Sequence, residues 1–500
     1  MNTEFASLLH RSGCLPLYRA EQVREMDRRA IEERGIPGCE LMSRAGAALF
    51  AVLRECWPEA RRVGVLCGAG NNGGDGWVVA RLAQAAGLEV TVVSLLEPER
   101  LQGEAARAAR DAVGAGVRWQ PFTGGLPEAD VRVDALLGTG LARPVAGPWA
   151  EAIGLLNVSG RPVIAVDVPS GVDADTGAIR GAAVRAEVTV SFIGRKFGLY
   201  TGAGSECGGE RRFDDLGVPS EVSAGLVPHG WLAVPGLVTR WLPRRHRNAH
   251  KGDFGHVLVV GGQPGMAGAA RLASAAALRT GAGLVSLATH PVHAAIAAAE
   301  RPELMARGVA DAEALAPLLA RAGVIALGPG LGQGDWGRPL FEAGLDSGLP
   351  LVVDADGLNL LAGAPRRCDR WVLTPHPGEA ARLLDRPVAE VQADRHAAVR
   401  DLAVRYGGVA VLKGAGTLVS DGETVAVVGR GNPGMGSGGM GDLLTGVIAA
   451  LRAQGLTATE AALLGAWVHA EAGDRAAAEG GERGLLASDL LPWLRRLVNP

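Results

Sequence analysis

Lysine is nearly missing from this chain of 500 residues: of 50 basic residues only Lys196, Lys251 and Lys413 are lysines. Where arginine serves everywhere else, a retained lysine marks a place that a guanidinium cannot fill, because an ammonium is a compact point charge with a tunable pKa. All three sit in glycine-bearing motifs, FIGRKFGLY, AHKGDFGHVLVVGG and VLKGAGT, so at least two are expected to be functional. An excess of one charge is also lacking. A net charge of −3 provides no basic field for nucleic acid and no polybasic patch for a membrane surface. The six cysteines (14, 39, 56, 67, 207 and 368) never fall in a Cys-x-x-Cys spacing, which argues for reduced thiols rather than a disulfide frame or a metal site. The start of the chain has no apolar segment of signal-peptide length. One span free of Asp, Glu, Lys and Arg, Thr280–Ala299, is interrupted by His290, Pro291 and His293; it reads as strand, turn and short helix, not a membrane crossing. A cytoplasmic protein with no membrane or nucleic-acid partner is expected.

What the chain has is glycine, most densely near its end. The stretch GNPGMGSGGMGD, Gly431–Asp442, runs directly into the apolar helical pattern Leu443–Leu451. No packed helix or strand tolerates that glycine density, so a loop feeding a helix N-terminus is predicted, with Asp442 in the first turn. Free amides, the positive end of the helix dipole and permissive backbone angles make an anion cradle. A carboxylate at its lip can take the proton of a hydroxyl that attacks phosphorus. A plain N-capping Asp is the alternative.

Earlier in the chain, strand Arg62–Cys67 enters GAGNNGGDG, and a helix is predicted over Trp77–Ala86. Strand, glycine turn and helix open a βαβ unit. Gly68, Gly70 and Gly73 satisfy G-x-G-x-x-G, but no acid closes the next strand to hold a ribose. Asn71, Asn72 and Asp75 supply oxygens suited to a hard cation. Strands and helices then alternate, which predicts a doubly wound parallel sheet. Asp134 with the turn Gly138-Thr139-Gly140, and Asp167 with Ser170, fall at carboxyl ends of strands, where open α/β sheets bind ligands. Proline and arginine crowd residues 220–247, and a second α/β run begins at Gly255. Its loops hold GPGLG, DADGLNLL, TPHPGE and KGAGT; His376, fixed between two prolines, is a candidate for substrate contact. The expected division is 1–220, a linker 221–247, and 248–500.

With these motifs laid out, the chain resembles the bifunctional NAD(P)H-hydrate repair enzymes, in which a Rossmann-like epimerase is fused to a ribokinase-like, ADP- or ATP-dependent dehydratase. The motifs that carry the resemblance are NNGGDG, DALLGTGLARP, VDVPSGVDAD and FIGRKFGL, then KGDFGHVLVVGG, GPGLG, DADGLNLL, TPHPGE, KGAGT and NPGMGSGGMGD. The resemblance implies that Asn71, Asn72, Gly73, Gly74 and Asp75, with Gly138, Thr139, Gly140, Leu141, Ala142, Arg143 and Pro144, hold the hydrated nicotinamide nucleotide. It places K⁺ on Asn72, Asp134 and Ser170, and substrate on Asp167. In the second half it places the hydrate against Ala269, Gly330, His376 and Asp442. It puts ADP or ATP, with Mg²⁺, on Lys413, Gly414, Ala415, Gly416, Thr417 and Gly441. Asp442 is then the base of the dehydratase, and Asp167 the acid–base of the epimerase, with Lys196 nearby to steady an oxyanion. The family often has NPGMATGGTGD where this chain reads NPGMGSGGMGD, so Met440 offers no hydroxyl. The substrates would be small molecules, and a homo-oligomer is expected. A ribokinase-type small-molecule kinase fused to a nucleotide-binding module is the alternative.

Overall fold

The computed structural model describes residues 4–141, 143–299 and 301–499. The chain forms two compact units, Pro16–Gly230 and a second made of the residues up to Leu15 together with Trp231 onward. This differs from a division at 221–247. The leading helix Glu4–Arg11 buries Phe5 and Leu9 in the same core as Trp231, Leu237 and Val238, and Arg240 donates to the Arg11 carbonyl. Residues expected to be a connector are partly regular: Gly230–Leu232 is a strand and Leu237–Trp241 a short helix.

In the unit Pro16–Gly230, seven strands, β1 (Arg62–Cys67), β2 (Glu89–Ser94), β3 (Arg118–Pro121), β4 (Val131–Ala135), β5 (Val163–Val166), β6 (Val188–Phe192) and β7 (Glu210–Asp214), form one sheet in the order β3-β2-β1-β4-β5-β6-β7. Every pairing is parallel. The central strands are buried along their whole length, as expected for parallel strands covered by helices on both faces. The order reverses between β1 and β4, and such a switch point opens a crevice at the carboxyl ends.

One expectation is corrected here. The helix after β1 spans Asn71–Ala85, so NNGGDG is its first two turns and not a loop before it. The glycines are there for packing. A Cβ on Gly73 would lie 2.2 Å from the Gly68 carbonyl oxygen, one on Gly74 2.6 Å from the Met42 methyl, and one on Gly76 2.5 Å from Ala135.

The second unit has strands β8 (Gly230–Leu232), β9 (His256–Val260), β10 (Leu284–Thr289), β11 (Met305–Gly308), β12 (Val324–Leu327), β13 (Leu351–Val353), β14 (Trp371–Leu373), β15 (Val409–Leu412), β16 (Thr417–Ser420) and β17 (Val425–Val428). They run β8-β17-β16-β15-β14-β13-β12-β9-β10-β11. Seven strands from β15 to β11 are parallel, and β16 and β17 add an antiparallel edge. The helical pattern Val388–Tyr406 proves to be two helices, Val388–Ala393 and Arg395–Tyr406; the Asp394 carboxylate caps the second by accepting from the Ala397 amide at 2.9 Å.

Helix Met440–Ala453 crosses helix Ala267–Thr280 in direct backbone contact. A Cβ on Gly446 would sit 2.0 Å from the Ala273 carbonyl oxygen. Gly446→Ala therefore forces the two helices apart, and overpacking of this kind costs roughly 1–3 kcal/mol. Calorimetry is expected to show a lower melting transition for the second unit; an unchanged melt would mean that the helix pair yields freely.

Candidate active sites

Two strand-end centres emerge, one in each unit. In the first, a cavity of about 550 Å³ opens at the switch point. The loops after β1 and β4 bring Asn71, Asn72, Asp75, Gly138, Thr139, Gly140 and Leu141 to its wall. Asp167, the residue after β5, and Lys196, four residues past β6, close it. Lys196 is 1 % exposed and its ammonium is bonded to the Asp167 carboxylate; the same nitrogen donates to the Phe192 carbonyl at 2.7 Å. Asp167 also accepts from the Phe192 amide at 3.2 Å and the Ser191 hydroxyl at 3.3 Å. Its φ is +62°, a region that costs a non-glycine residue of order 1–3 kcal/mol and clusters at functional sites.

Two further carboxyls share this cavity. Asp75 is held well above the usual carboxylate range by burial, reinforced by the charges of Asp167 and Asp27. Asp27 is pushed up to about 6, mainly by burial; the Lys196 charge pulls it down and Asp167 pushes it up. Asp27 was not legible as a site residue, although one signal existed. It stands four residues from both Val23 and Ile31, in the stripe of the helix Ala20–Glu32 that faces the cavity.

Not every expected residue reaches the wall. Gly73 and Gly74 are buried in helix packing, Arg143 and Pro144 are exposed outside the cavity, and Ala142 lies outside the described residues. Asp134 and Ser170 are fully buried and off the wall. The Asp134 carboxylate accepts from the Ser170 hydroxyl at 2.6 Å, the Ser170 amide at 2.8 Å and the Leu136 amide at 3.3 Å. Burial outweighs these bonds and lifts its pKa to about 6. The Leu137 amide donates to the Ser170 hydroxyl at 2.8 Å. The next residue, Gly138, packs on Asn72, whose Oδ1 would lie 3.1 Å from a Cβ there. The amide nitrogen of that buried Asn72 side chain has no partner.

In the second unit, Asp354, Thr374 and Lys413 are the residues immediately after the adjacent parallel strands β13, β14 and β15. The Lys413 ammonium lies 2.8 Å from Asp354 Oδ1 and 3.8 Å from Glu379 Oε2. Thr445 donates to Asp354 Oδ2 at 2.8 Å. Despite complete burial, the Lys413 charge and these bonds keep Asp354 below its ordinary pKa. Directly above is the start of helix Met440–Ala453: a Cβ on Gly441 would be 3.1 Å from Lys413 Nζ. The helix begins at Gly439, whose φ of +89° only glycine adopts readily. Its first backbone bond is Leu443 to Gly439 at 3.1 Å, so the amides of Met440, Gly441 and Asp442 have no intrahelical partner. Asp442 is raised to about 6 by burial and by Asp354, offset by Lys413.

The remaining glycine loop is braced. Asn432 caps the Gly434 amide at 3.0 Å and donates to Asp474 at 3.0 Å, while Ser437 donates to the Leu485 carbonyl at 2.9 Å. The Lys413–Thr417 loop is pinned by buried Arg395, which donates to the Leu412 and Lys413 carbonyls at 3.2 Å each. Gly414 packs on that guanidinium, Ala415 is exposed, Gly416 is buried, and Thr417 donates to the Gly414 carbonyl at 3.1 Å. Gly330 meets Ala269, with a notional Cβ separation of 3.3 Å.

His376 takes a role that the sequence did not reveal. Its Nδ1 accepts from the Gly378 amide at 3.0 Å and the Glu379 amide at 3.4 Å, and its own amide donates to Glu379 Oε2 at 2.8 Å. This is a capping box at the helix Pro377–Leu384. Burial and the Lys413 charge keep the ring below its ordinary pKa.

An amide cradle beside a carboxylate and, separately, a cavity closed on an aspartate–lysine pair make this a two-centre α/β enzyme. Comparison with known proteins specifies it. Residues 38–198 match the family described as the YjeF-related protein N-terminus, and residues 257–496 the family described as NAD(P)H-hydrate dehydratase. The bifunctional NAD(P)H-hydrate repair enzyme Nnr of Coxiella burnetii is 49% identical over 486 residues, spanning 97% of this chain and 99% of that one. The enzyme of the same name from Escherichia coli is 44% identical over 486 residues, spanning 97% and 94%. Among solved structures, a hypothetical protein, SMU.573, from Streptococcus mutans aligns at a TM-score of 0.50 and 28% identity, covering 53% of this chain and 98% of its own. The chain belongs to the bifunctional NAD(P)H-hydrate repair enzymes, in which an epimerase is joined to a ribokinase-like dehydratase. No described helix is long and apolar enough to cross a membrane.

Lys413→Met removes the cation that, among the described residues, is bonded to the buried Asp354 carboxylate. Breaking a buried pair from one side costs roughly 3–5 kcal/mol, and urea unfolding is expected to show a loss of that size. A loss below about 1 kcal/mol, the scale of an exposed pair, would show that the pair is solvated.

Proposed function

We propose that the second centre dehydrates the hydrate by phosphorylating it. The observation that carries this reading is Asp442 in the first turn of a helix whose amides are free, beside the Lys413–Asp354 pair. Asp442 takes the proton of the C6 hydroxyl as its oxygen attacks the terminal phosphate of ADP or ATP. The amides of Gly438–Gly441 receive the charge that grows on that phosphate; loss of one such donor typically costs ~10²–10³ in rate. The ring nitrogen lone pair then expels phosphate, a far better leaving group than hydroxide, and loss of a C5 proton restores the dihydropyridine. Lys413–Thr417 and Gly441 hold the nucleotide, and Ala269, Gly330 and His376 frame the hydrate. Three carboxylates, Asp354, Asp356 and Asp442, share one field with Lys413; that negative excess suits Mg²⁺ arriving on the nucleotide's phosphates, where it neutralises charge.

The first centre interconverts the C6 epimers, so that a stereospecific dehydratase clears both. Asp167 is its base, and the buried Lys196 ammonium holds that carboxylate in place. Asn71, Asn72, Asp75 and the Gly138–Leu141 turn hold the hydrated ring and its phosphates; Gly73 and Gly74 contribute through packing. Asp134, Ser170 and Asn72 suit K⁺, because a fully buried carboxylate with no cationic neighbour among the described residues meets the Ser170 hydroxyl oxygen, and the Asn72 side-chain carbonyl oxygen lies against Gly138 on the neighbouring turn. The ion would supply the missing positive charge beneath the cavity. A homo-oligomer remains the expectation.

Asp442→Asn is expected to lower phosphate release by at least ~10²–10⁴, the usual worth of a positioned base, with ADP binding preserved. In the unaltered enzyme, dehydration should fall as pH drops through about 6, where Asp442 takes up its proton. Wild-type turnover by the variant would remove Asp442 from the mechanism. For the ion, KCl at fixed ionic strength is expected to raise the melting temperature of the first unit above that in choline chloride. Asp134→Asn should abolish the difference; equal melting of the unaltered enzyme in the two salts would dismiss the site.

A further inference from the structure

Exchange between two epimers sets a requirement that one acid–base residue does not meet. A hydroxyl leaves C6 on one face of the ring and water returns on the other. One group must protonate the departing oxygen while a second takes the proton of the incoming water. In the reverse direction the same two groups exchange duties. An epimerase of this kind therefore needs two proton-handling groups around one ring, one protonated and one ionised at the start of each passage.

Asp167 can be only one of them; its carboxylate is bonded to the Lys196 ammonium. The first cavity offers a partner. Among its charged lining residues are Arg24, Asp27, Asp75, Glu104, Asp167 and Lys196. Arg24 is bonded to the Thr139 carbonyl at 3.2 Å, and Glu104 lies against Gly38. Burial holds Asp75 well above the usual carboxylate range, which suits it to donating a hydrogen bond more than to giving and regaining a proton. Asp27 lines the cavity from the helix Ala20–Glu32, a different element from those that carry Asp75, Glu104 and Asp167. Among the described residues no hydrogen bond or ion pair involves its carboxyl, and it lies within the field of both Lys196 and Asp167. A carboxyl withdrawn from water with no partner of its own is destabilising unless a ligand uses it.

We propose that Asp27 is the second proton-handling residue of the epimerase, acting on the C6 oxygen opposite to Asp167. In one direction the Asp27 carboxyl gives its proton to the C6 hydroxyl. The C6–O bond breaks with its electron pair going to oxygen, water departs, and the N1 lone pair forms the N1=C6 bond. Water then adds to C6 from the other side; the N1=C6 electrons return to nitrogen, and Asp167 accepts the proton released by that water. One proton has passed from Asp27 to Asp167, and exchange with solvent resets the pair. The raised pKa of Asp27, about 6 against the ordinary carboxylate value, keeps a protonated fraction available near neutrality.

This inference rests on the assignment of the first centre as the epimerase, and the test separates the two. The full-length chain is given racemic NADH hydrate with excess ADP and Mg²⁺, and 340-nm absorbance is followed. The unaltered enzyme should show a fast phase, as one epimer is consumed, and a second phase limited by epimerisation. Asp27→Asn should leave the fast phase intact and slow the second ~10²-fold or more, the usual worth of a general acid. Asp27→Glu should restore part of that rate. The KM of the second phase should stay within about twofold, because an amide of the same size keeps the cavity's shape, whereas a structural lesion would move KM and the melting temperature together. If Asp167→Asn removes the second phase and Asp27→Asn does not, Asp27 is not the partner and the epimerase assignment stands. If the unaltered enzyme shows no second phase above the spontaneous rate, the assignment itself falls and Asp27 with it.

Discussion

A buried ammonium held against a strand-end carboxylate anchors each half of this enzyme. Lys196 meets Asp167 and Lys413 meets Asp354, and in each case the aspartate is the residue immediately after a parallel strand. Removing either partner strands a charge out of water, so the geometry around each pair is over-determined. That is what lets Asp167 persist at a positive φ, and Ala355, next to Asp354, at +48°. It also explains why lysine survives in a chain otherwise committed to arginine. Lys413 Nζ lies 3.1 Å from where a Cβ on Gly441 would stand, and a planar guanidinium does not fit beneath a helix amide at that distance. The third lysine, Lys251, is exposed on a short turn, and no catalytic centre includes it.

Glycine does different work in the two halves. In NNGGDG it permits close approach: Gly73, Gly74 and Gly76 let a helix settle onto the β1 turn, Met42 and Ala135, which draws Asn72 and Asp75 to the carboxyl end of the sheet. In GMGSGGMGD it permits an unusual angle, at Gly439, and leaves amides open above Lys413. Both helix starts leave first-turn amides without an intrahelical partner, and in the second they lie against the Lys413 ammonium and beside Asp442. A shared richness in glycine therefore did not mean a shared chemistry.

Most of the architecture was legible because parallel strands buried on both faces read as short apolar runs ending in Gly, Asp or Asn, and those ends are where ligands bind. Asp442, Lys196 and Lys413 were singled out by their glycine neighbours and Asp167 by its place at a strand end, and the structure brings each to a strand-end centre. What stayed hidden depended on contacts far apart in sequence. The helix Ala20–Glu32 carries no site motif, yet its Asp27 lines the same cavity as Asp167 at a strand end far along the chain. His376 looked free between its prolines, and only the fold reveals Glu379 closing a capping box on it. The leading segment carried no motif, and its helix is fixed by an apolar match to Leu237 and Val238. The start of helix Asn71–Ala85 was missed because glycine's poor helix propensity was outweighed by tertiary packing.

The two centres differ in a way that follows from their chemistry. The proposed phosphorylation makes an activated leaving group from a poor one, a step that calls for a fixed electrostatic frame; this centre offers a helix terminus, an ammonium and, in Asp442, a carboxyl whose pKa is raised to about 6. Epimerisation gains no leaving group and ends with an epimer of similar energy, so what a catalyst can supply is proton transfer at the departing and the returning oxygen. That centre accordingly gathers three carboxyls around one lysine: burial raises Asp75 and Asp27 above the usual carboxylate range, and Asp167 is paired with Lys196. Under the proposed mechanism, carboxyls from two separate elements serve departure and return on the two faces of the ring, a division of labour that a single carboxylate on one wall does not provide.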